Sequence, residues 1–491
     1  MKRKNTLITV FVFSYLIIAQ TIAHAVSHEE NVLAILNSVN PTMHMGICVV
    51  SLDDNAIVYQ KNADQLFTPA STLKTVTALA ALYYLKPDFT FKTELATDGS
   101  IQNNTLQGNL YIKGDGDPAL SIENLESLII SLKNHGIQTI TGNLCLDNTC
   151  FDSMQFGPGC AWDDGVEFWN APVDGLNIQH NVVSITVSPQ HNNQISYQIS
   201  PELAYNFITI KNNATCDNQA IEATTSTISI DRSWQTRENS ITIDGHMTPS
   251  SKPYKKSVTI ENPALYAGYL FKNLLKRHNI TLSGSLVFQK SPIESRTLAL
   301  HTSATLSQLL DQVLAISDNL YSDAIFKKIG AVFTQKTGSF PHGIKAVKNF
   351  LVQELGFDKD ECVIVDGSGL SRYNLISPNH MIRLLLWIAQ SPYFDVFLKA
   401  SAVSGLKGTL ATRLLERPGT IMAKSGTMSG ISGLTGFFET LNGKFYAFSF
   451  FLNGFVQPSN QKTQTLKIQS SLNYDPKVLL EDELCYYFAR N

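Results

Sequence analysis

Residues 69–85 read PASTLKTVTALAALYYL, and this stretch decides the fold. Its run of alanine and leucine between Pro69 and Pro87 predicts a buried helix that begins near Ser71. A lysine three residues after a serine lies on the same helix face, about one turn away. The Lys74 amine can therefore take the proton of the Ser71 hydroxyl, which is the arrangement of an activated nucleophile.

The Ser-x-x-Lys spacing is weak evidence by itself, because the chain contains two other copies. These copies begin at Ser404 and Ser459, and both read as loop segments. Only Ser71 follows a proline and opens a long apolar helix, which would pack against a sheet while its first turn faces a cleft. We therefore assign the nucleophile to Ser71 and the base to Lys74.

The Ser-x-Asn motif presents a hydroxyl and an amide together. It occurs four times, at Ser38, Ser317, Ser377 and Ser471. Ser317 differs from the others because it closes one apolar helix and opens the next. Such a junction can project its hydroxyl and the amide of Asn319 into a cleft. Ser377 reads as a helix cap, and an N-cap is also the alternative for Ser317.

Two Lys-Ser/Thr-Gly segments compete for a third element, a cation beside the cleft. Lys336 opens Lys-Thr-Gly at the end of a predicted helix, where the glycine reads as a stop signal. Lys424 opens Lys-Ser-Gly-Thr and leads into GLTGFFET and FYAFSFFLNG, which predict neighbouring antiparallel strands. A lysine on an inner strand supplies the positive charge that a substrate carboxylate needs. We therefore choose Lys424, with Ser425, Gly426 and Thr427 beside it.

The first residues have the features of a secretory signal peptide. Lys2, Arg3 and Lys4 precede an apolar run that closes on Ala-His-Ala at 23–25, a small-x-small cleavage site. An uncleaved anchor is the alternative, but the apolar run is shorter than the roughly 20 residues that a membrane span needs. We expect cleavage after residue 25 and no membrane span in the mature chain. Loss of this basic segment makes the net charge more negative than the −3 of the whole chain, so no basic surface for nucleic acid is implied.

Seven cysteines follow the signal, where disulfides are permitted, and their odd number leaves at least one unpaired. Cys145, Cys150 and Cys160 crowd one short stretch, and we expect a local disulfide there. Zinc ligation is the weaker alternative, because no histidine lies at finger-like spacing nearby. The 11 histidines are scattered without a His-Glu-x-x-His string, so neither a metal site nor a cofactor is predicted.

The pattern of the sequence changes twice along the chain. Residues 45–60 predict a hairpin ahead of the first motif. From about 96 to 295, short β-branched runs separated by Asn, Asp, Ser and Pro predict a mostly β segment, with helices at 122–135 and 263–278. Helical patterns return after residue 296. This order predicts one α/β domain that is split by one or two inserted β-rich modules.

Taken in order, Ser-x-x-Lys, Ser-Asp-Asn and Lys-Ser-Gly resemble the three motifs of the active-serine penicillin-recognising enzymes. The 246 residues between Ser71 and Ser317 are similar to the spacing in class C low-molecular-mass penicillin-binding proteins of the type-4 kind. The strings YIKGDGDPAL, NAPVDGLNIQHN, VDGSGLSRYNLISP and MAKSGTMSGISGLTGF extend the resemblance over most of the mature chain. It implies a β-lactamase/transpeptidase-like catalytic domain, an antiparallel sheet flanked by helices. The expected division is a signal peptide at 1–25, catalytic parts at 26–95 and 296–491, and inserted domains at 96–295.

The resemblance implies a serine D-Ala-D-Ala carboxypeptidase and D,D-endopeptidase that acts on peptidoglycan stem peptides through an acyl-enzyme and is inhibited by β-lactams. Ser71 would attack the carbonyl between two D-alanines, with Lys74 as base and Ser317 as proton relay. The other implied residues are Asn319 for the penultimate amide, and Lys424, Ser425 and Thr427 for the terminal carboxylate. Ser425 replaces the threonine usual in the family, but it keeps the hydroxyl, so carboxylate binding should survive.

Lys74 must be neutral to act as a base. We expect the helix N-terminus and the second cation, Lys424, to lower the pKa of Lys74. The backbone N–H groups of Ser71 and Thr427 would form the oxyanion hole.

Members of the resembled family also bind the side chain of a diaminopimelate-like residue. The resemblance implies Asp164 for its ammonium and Arg372 for its carboxylate, with Asp163 as the rival of Asp164. An ordinary surface charge is the alternative for each. The slot between them would be lined by Gly369, Leu370, Met428 and Ser429.

Two other functions compete with this one. A β-lactamase would share the acylation but needs fast deacylation, usually through a dedicated glutamate, and no matching element is found. A non-catalytic protein that binds penicillin or cell wall would be expected to have a broken motif, whereas all the reactive side chains are present. The expected location is the periplasm and the expected partners are peptidoglycan peptides and β-lactams. No oligomeric state is predicted.

Overall fold

The computed structural model describes residues 29–36, 43–190, 194–216, 227–456 and 476–490. The predicted signal peptide and the Ser459 copy of Ser-x-x-Lys lie outside these residues. The helices α1 to α10 are 29–36, Lys74–Tyr84, Ile122–Asn134, Pro263–Arg277, Leu306–Asp311, Asn319–Thr334, Phe340–Leu355, Pro378–Ala389, Phe394–Ala400 and Pro476–Arg490. The strands β1 to β23 are His44–Ser51, Ile57–Lys61, Lys92–Thr97, Ser100–Gln102, Thr105–Gln107, Leu110–Lys113, Thr139–Ile140, Leu144–Asp147, Val182–Pro189, Ile195–Ser200, Thr209–Asn212, Thr215–Cys216, Ser229–Arg232, Ser240–Asp244, His246–Met247, Tyr254–Thr259, Thr281–Leu282, Leu286–Phe288, Arg296–Thr302, Ala402–Val403, Ile421–Met428, Ile431–Glu439 and Phe445–Asn453.

A six-stranded antiparallel sheet lies at the centre of the part that carries the three motifs. Its strand order is β2-β1-β23-β22-β21-β20. The β1–β2 hairpin is the one predicted ahead of the serine motif. Strands β22 and β23 are the predicted antiparallel neighbours, with Leu434 opposite Phe450. The prediction of an inner strand for Lys424 is confirmed, because β21 lies between β22 and the short β20.

Helices cover both faces of this sheet because its strands are apolar on both. Successive residues point to opposite faces, so Phe437 belongs to the core that includes α2 and α5 to α9, whereas Phe438 belongs to the core that includes α1 and α10. Two separate cores result, one on each side. Within the described ranges no single helix is long and apolar enough to cross a membrane. Helices α8 and α9 meet the length and composition criteria only when taken together, and they are bent by 118° relative to each other.

The β-rich middle of the chain has a core of its own, whose buried apolar residues run from Leu95 to Ala299. Two sheets, β18-β8-β6-β3-β19 and β17-β7-β5-β4, pack with α3 and α4. Three smaller sheets, β10-β9-β16, β11-β14-β13 and β12-β15, complete this segment. Strand β3 pairs with β19, so both ends of the segment meet in one sheet. The predicted fold class, α/β with a flanked antiparallel sheet and a large β-rich insertion, is confirmed.

The expected local disulfide is wrong, because all seven cysteines are free thiols. Cys145 lies in β8 and packs against Ala96 and Tyr111. The Cys150 thiol instead points to the Gly175 carbonyl oxygen, at 3.7 Å. Cys145 and Cys150 are therefore close in sequence but lie in different surroundings.

Candidate active site

The serine helix begins in a strained turn. Ala70 has a φ of +48°, in the left-handed region that residues with a side chain rarely adopt. A 3-10 turn, Ala70–Leu73, leads into α2. Gly369 packs on this turn so closely that a Cβ there would lie 1.9 Å from the Ala70 carbonyl oxygen. Only glycine at position 369 therefore lets its loop lie against the turn that presents Ser71.

The Lys74 side chain is fully buried beside Ser71. Its Nζ donates to the Ser71 hydroxyl at 2.8 Å, to Asn319 Oδ1 at 2.6 Å and to the Ser368 carbonyl at 2.7 Å. One amine thus contacts three acceptors from three separate segments of the chain. The structure brings together the first two predicted motifs through this group.

Burial lowers the pKa of Lys74 to about 8, against the opposing charges of Asp323, Asp366 and Asp318. The direction agrees with the expectation from the sequence, but the cause differs. Desolvation disfavours the ammonium, rather than the helix N-terminus or Lys424. A lysine with this pKa is partly neutral near neutral pH and can act as a base.

Two buried carboxylates, which the sequence interpretation missed, support the loop that carries Gly369. Asp366 accepts hydrogen bonds from the backbone N–H of Gly369 at 2.9 Å and of Ser371 at 2.7 Å. Asp323 accepts one from the Gly367 N–H at 2.8 Å. Burial, and then the charge of Asp366, raises the pKa of Asp323 to about 7. The available sequence signal was Asp366 inside the glycine-rich string VDGSGLSR.

Ser317 lies in the turn between a π-helical segment, Gln312–Ile316, and α6. Its φ is +72°, again left-handed. The N-cap of α6 is Asp318, whose Oδ1 accepts from the Tyr321 backbone N–H at 3.0 Å. The N-cap alternative for Ser317 is therefore wrong, whereas the predicted cap at Ser377 is confirmed at the start of α8.

His180, on the β-rich segment, holds this turn from outside. Its Nδ1 lies 2.9 Å from Asp318 Oδ2, and its ring centroid lies 5.5 Å from that of Tyr321. The hydrogen bond to Asp318 raises the pKa of His180, because it favours the imidazolium. Gln179, His180 and Asn181 all have positive φ. His180 lies in the string NIQHN, but the sequence pattern did not identify it as a site residue.

Asn319 makes a second link to the β-rich segment. Its Nδ2 donates to the Trp169 carbonyl at 2.7 Å, while its Oδ1 accepts from Lys74. The neighbouring Phe168 side chain is 62 % exposed. One wall of the site is thus formed by the segment that the sequence assigned to an insertion.

Strand β21 passes close to Ser71. A Cβ at Gly426 would lie 2.8 Å from the Ser71 backbone nitrogen, so this approach requires glycine. Lys424 is buried, and its Nζ donates to the Ser425 carbonyl at 2.7 Å. Burial, and then the charge of Lys74, lowers the pKa of Lys424 well below its ordinary range. Two lysine amines therefore compete for protons in one desolvated site.

Ser71 faces a cavity of about 510 Å³. Its lining consists of Ser71, Asp164, Phe168, Trp169, Ile316, Ser317, Asp318, Asn319, Gly369, Leu370, Arg372, Thr427, Met428 and Ser429. Asp164 belongs to this wall, whereas Asp163 is exposed and does not. Burial, and then Asp163, raises the pKa of Asp164, against the opposing charge of Arg372.

The remaining predicted residues, Lys74, Lys424, Ser425 and Gly426, lie outside this lining. The Ser425 hydroxyl donates to the Thr409 hydroxyl at 2.7 Å, a partner that no motif had marked. Ser425 would have to turn its one O–H proton away from Thr409 to donate to a substrate carboxylate.

Two of the competing motif copies, those at Ser404 and Lys336, have surroundings that indicate structural roles. Ser404 is buried, and its hydroxyl donates to the Arg417 carbonyl at 2.6 Å and accepts from the Ile421 N–H at 3.2 Å. Lys336 is exposed beyond the end of α6, and Gln335, not Gly338, takes the left-handed conformation at the C-cap. The glycine stop signal was therefore placed wrongly, although the helix does end in this segment.

The site thus combines a serine hydroxyl, a hydrogen-bonded lysine of lowered pKa, a second hydroxyl and a second buried lysine around one cavity. Such a set suits acyl transfer through a covalent intermediate. The model of the D-Ala-D-Ala carboxypeptidase 3 (S13) family matches residues 29–473, which is most of the chain. The chain belongs to the S13 family.

Relatives of this S13 chain include the D-alanyl-D-alanine carboxypeptidase DacB of Haemophilus influenzae. The two are 30% identical over 417 residues, which cover 84% of this chain and 86% of that protein. The D-alanyl-D-alanine carboxypeptidase of Actinomadura sp. (strain R39) is 30% identical over 434 residues, covering 84% of this chain and 78% of that protein.

The crystal structure of penicillin binding protein 4 (dacB) from Haemophilus influenzae superposes on the S13 chain with a TM-score of 0.81. Its sequence identity is 28%, and the match covers 94% of this chain and 100% of that one. A second structure of that protein, complexed with a β-lactam, matches with a TM-score of 0.76. The predicted family resemblance and the predicted enzyme class, a serine-type D-Ala-D-Ala carboxypeptidase, are confirmed.

Proposed function

We propose that the chain hydrolyses the D-Ala-D-Ala bond of peptidoglycan stem peptides, and cuts D,D-cross-links, through an acyl-enzyme on Ser71. The observation that carries the proposal is the 2.8 Å hydrogen bond from Lys74 to the Ser71 hydroxyl, at the edge of a cavity that Ser317 also lines. A buried lysine with a pKa of about 8 is a base of suitable strength for a serine hydroxyl.

In the acylation step, the Ser71 oxygen bonds to the carbonyl carbon and its proton passes to Lys74. The backbone N–H groups of Ser71 and Thr427 donate to the resulting oxyanion, each contributing roughly 3 kcal/mol. The C–N bond then breaks, and the leaving amine receives a proton that comes from Lys74 through the Ser317 hydroxyl. Water attacks the ester in the second half, returns a proton to Ser71 through Lys74, and frees the shortened peptide.

Substrate binding prepares Lys74 for this role. In the free site Lys74 has three hydrogen-bond acceptors, so the proton that the two lysines compete for resides on Lys74 rather than Lys424. A terminal carboxylate bound beside Lys424, Ser425 and Thr427 favours the ammonium of Lys424. Repulsion from that ammonium then disfavours reprotonation of Lys74, so the bound ligand helps to keep the base neutral once it has lost its proton to solvent.

Specificity for the acyl half follows from two charged residues of the cavity lining. Asp164 and Arg372 both line it, and they carry the charges that the zwitterionic tip of a diaminopimelate-like side chain requires. Gly369, Leu370, Met428 and Ser429 line the slot between them, and Asn319 holds the penultimate amide.

The proposed location is the periplasm, on the basis of the N-terminal sequence, and the proposed partners are peptidoglycan peptides and β-lactams. β-Lactams carry a carboxylate and an acylating carbonyl in the positions that the D-Ala-D-Ala ending presents, so they would acylate Ser71. We also retain the division into two catalytic parts, 26–95 and 296–491, around inserted domains at 96–295. The β-lactamase alternative differs by predicting fast release of the acyl group.

The test is the intact mass of the protein after brief exposure to benzylpenicillin. The wild-type chain and Ser404→Ala should gain one drug mass and keep it, whereas Ser71→Ala should not. Ser404→Ala is a matched control because it removes a serine from a second Ser-x-x-Lys copy. An adduct on Ser71→Ala would refute the nucleophile, and rapid drug turnover without an adduct would favour the β-lactamase.

A further inference from the structure

A second cavity, of about 720 Å³, adjoins the catalytic one. Phe168 and Asp318 line both cavities and form their common wall. The other walls come from strand β16, including Tyr254 and Lys255, and from the start of α6 at Leu320. None of the three motifs contributes its reactive group here, so the site described above does not account for this space.

Most charges on the wall of the second cavity are neutralised in pairs. Lys256 Nζ lies 2.9 Å from Glu167 Oε1, and His180 Nδ1 lies 2.9 Å from Asp318 Oδ2. Lys255 differs, because it is exposed and has no ion pair or side-chain hydrogen bond with any residue that the structure describes. The cavity therefore offers one uncompensated cation to a ligand.

The position of the second cavity decides which part of a substrate it can meet. Asp164 and Arg372, proposed above to bind the acyl half, line the catalytic cavity and not this one. The second cavity lies instead across Asp318 from the turn of Ser317, the group proposed to protonate the leaving amine. A leaving group larger than D-alanine would extend from that turn past Phe168 into this space.

We propose that the second cavity is a subsite for the leaving peptide strand of a cross-linked substrate, with Lys255 binding a carboxylate of that strand. Stem peptides are acidic, and an unpaired ammonium attracts their carboxylates. The rings of Phe168 and Tyr254 offer apolar faces to the remainder of the strand. The inference rests on the proposed function and specifies how a carboxypeptidase site would also accept a cross-link.

The test compares two substrates on charge-reversal variants. Lys255→Glu changes the cavity, and Lys252→Glu is the matched control, since Lys252 is exposed just before β16 but does not line the cavity. The substrates are a D,D-cross-linked disaccharide-peptide dimer and a monomeric disaccharide pentapeptide. Lys255→Glu should lower kcat/KM for the dimer about fivefold, mainly through KM, because a favourable exposed charge contact becomes a repulsive one. The pentapeptide, whose leaving group is D-alanine alone, should change less than about 1.5-fold.

Lys252→Glu should behave like the wild type on both substrates, and benzylpenicillin acylation should be equal in all three proteins. An unchanged dimer rate in Lys255→Glu, or an equal fall for both substrates, overturns the subsite. A wild-type chain that hydrolyses the pentapeptide and not the dimer also overturns it. A wild-type chain that hydrolyses neither substrate and forms no adduct contradicts the proposed function first, and the subsite with it.

Discussion

The rate of Ser71 acylation should rise with pH, with a midpoint near the Lys74 pKa of about 8. Only neutral Lys74 can take the Ser71 proton, so the second-order rate constant follows the neutral fraction in the free enzyme. That fraction is roughly 1 % at pH 6, about 10 % at pH 7 and about 50 % at pH 8. The rate constant should therefore increase about tenfold per unit below pH 7 and become constant above about pH 9.

Benzylpenicillin is a suitable probe because its own carboxylate stays ionised over this range. Acylation would be followed by rapid quench and mass measurement between pH 6 and 9.5 at fixed ionic strength. Lys74→Arg should abolish the pH-dependent limb and reduce the rate by at least about a thousandfold, because a guanidinium keeps its proton. A wild-type profile that is flat, or whose midpoint lies at the ordinary lysine pKa of about 10.4, would refute Lys74 as a buried base.

Asp323→Asn provides a second way to shift the Lys74 pKa, and with it the midpoint of the pH profile. The asparagine Oδ1 can still accept the hydrogen bond from the Gly367 N–H, so the loop keeps its contact. The substitution removes a negative charge that opposes the lowering of the Lys74 pKa. The midpoint should therefore move to lower pH, and a midpoint that moves upward would contradict the assigned electrostatics.

Three further predictions concern stability, positioning and specificity. Arg413→Ala should lower the free energy of unfolding by about 3–5 kcal/mol in urea titrations, because it leaves the buried carboxylates of α10 unpaired. The control Arg490→Ala breaks an exposed ion pair and should change the free energy of unfolding by less than about 1 kcal/mol. Equal effects of the two substitutions would contradict the larger cost expected for unpaired buried charges. His180→Ala should lower kcat for peptide hydrolysis about tenfold with little change in KM, because the Ser317 turn loses its tie to the β-rich segment; an unaffected kcat would exclude that role. Arg372→Ala should lower kcat/KM for a diaminopimelate-containing peptide about tenfold or more and leave benzylpenicillin acylation within about twofold, and a loss of both in parallel would indicate a structural role instead.

Short-range patterns in the sequence were sufficient to predict the framework of this fold. Apolar periodicity, and the Pro, Gly, Asn and Asp residues that bound the elements, predicted the Ser71 helix, the β1–β2 hairpin and the strand pair β22–β23. The same reasoning placed the end of α6 near Gly338, but Gln335 takes the left-handed conformation instead. Glycine adopts this conformation most easily, but here the C-cap of the helix lies three residues before the glycine.

Contacts between distant segments could not be predicted in the same way. The β-rich segment contributes Trp169 to the wall of the site and His180 to the outer side of the Ser317 turn, and each meets a residue more than 100 positions away. The hydrogen bonds of Asp323 and Asp366 to backbone N–H groups likewise leave no pattern in the sequence, because a carboxylate is ordinarily an exposed charge. The same applies to Cys145, whose strand directs its thiol into a small core rather than toward another cysteine.

The sequence by itself was enough to identify the family and to predict the reacting groups and their order, because the proposed chemistry of Ser71 with Lys74 depends on two residues one helical turn apart. It also determined the continuous apolar strands that make a sheet buried on both faces. The tertiary structure alone decided how strongly Lys74 is desolvated, which of the two aspartates at 163 and 164 lines the cavity, and that a second cavity borders Asp318. The physical reason is that burial and cavity shape depend on all the surrounding segments at once, whereas a helical turn depends only on its neighbours in the chain.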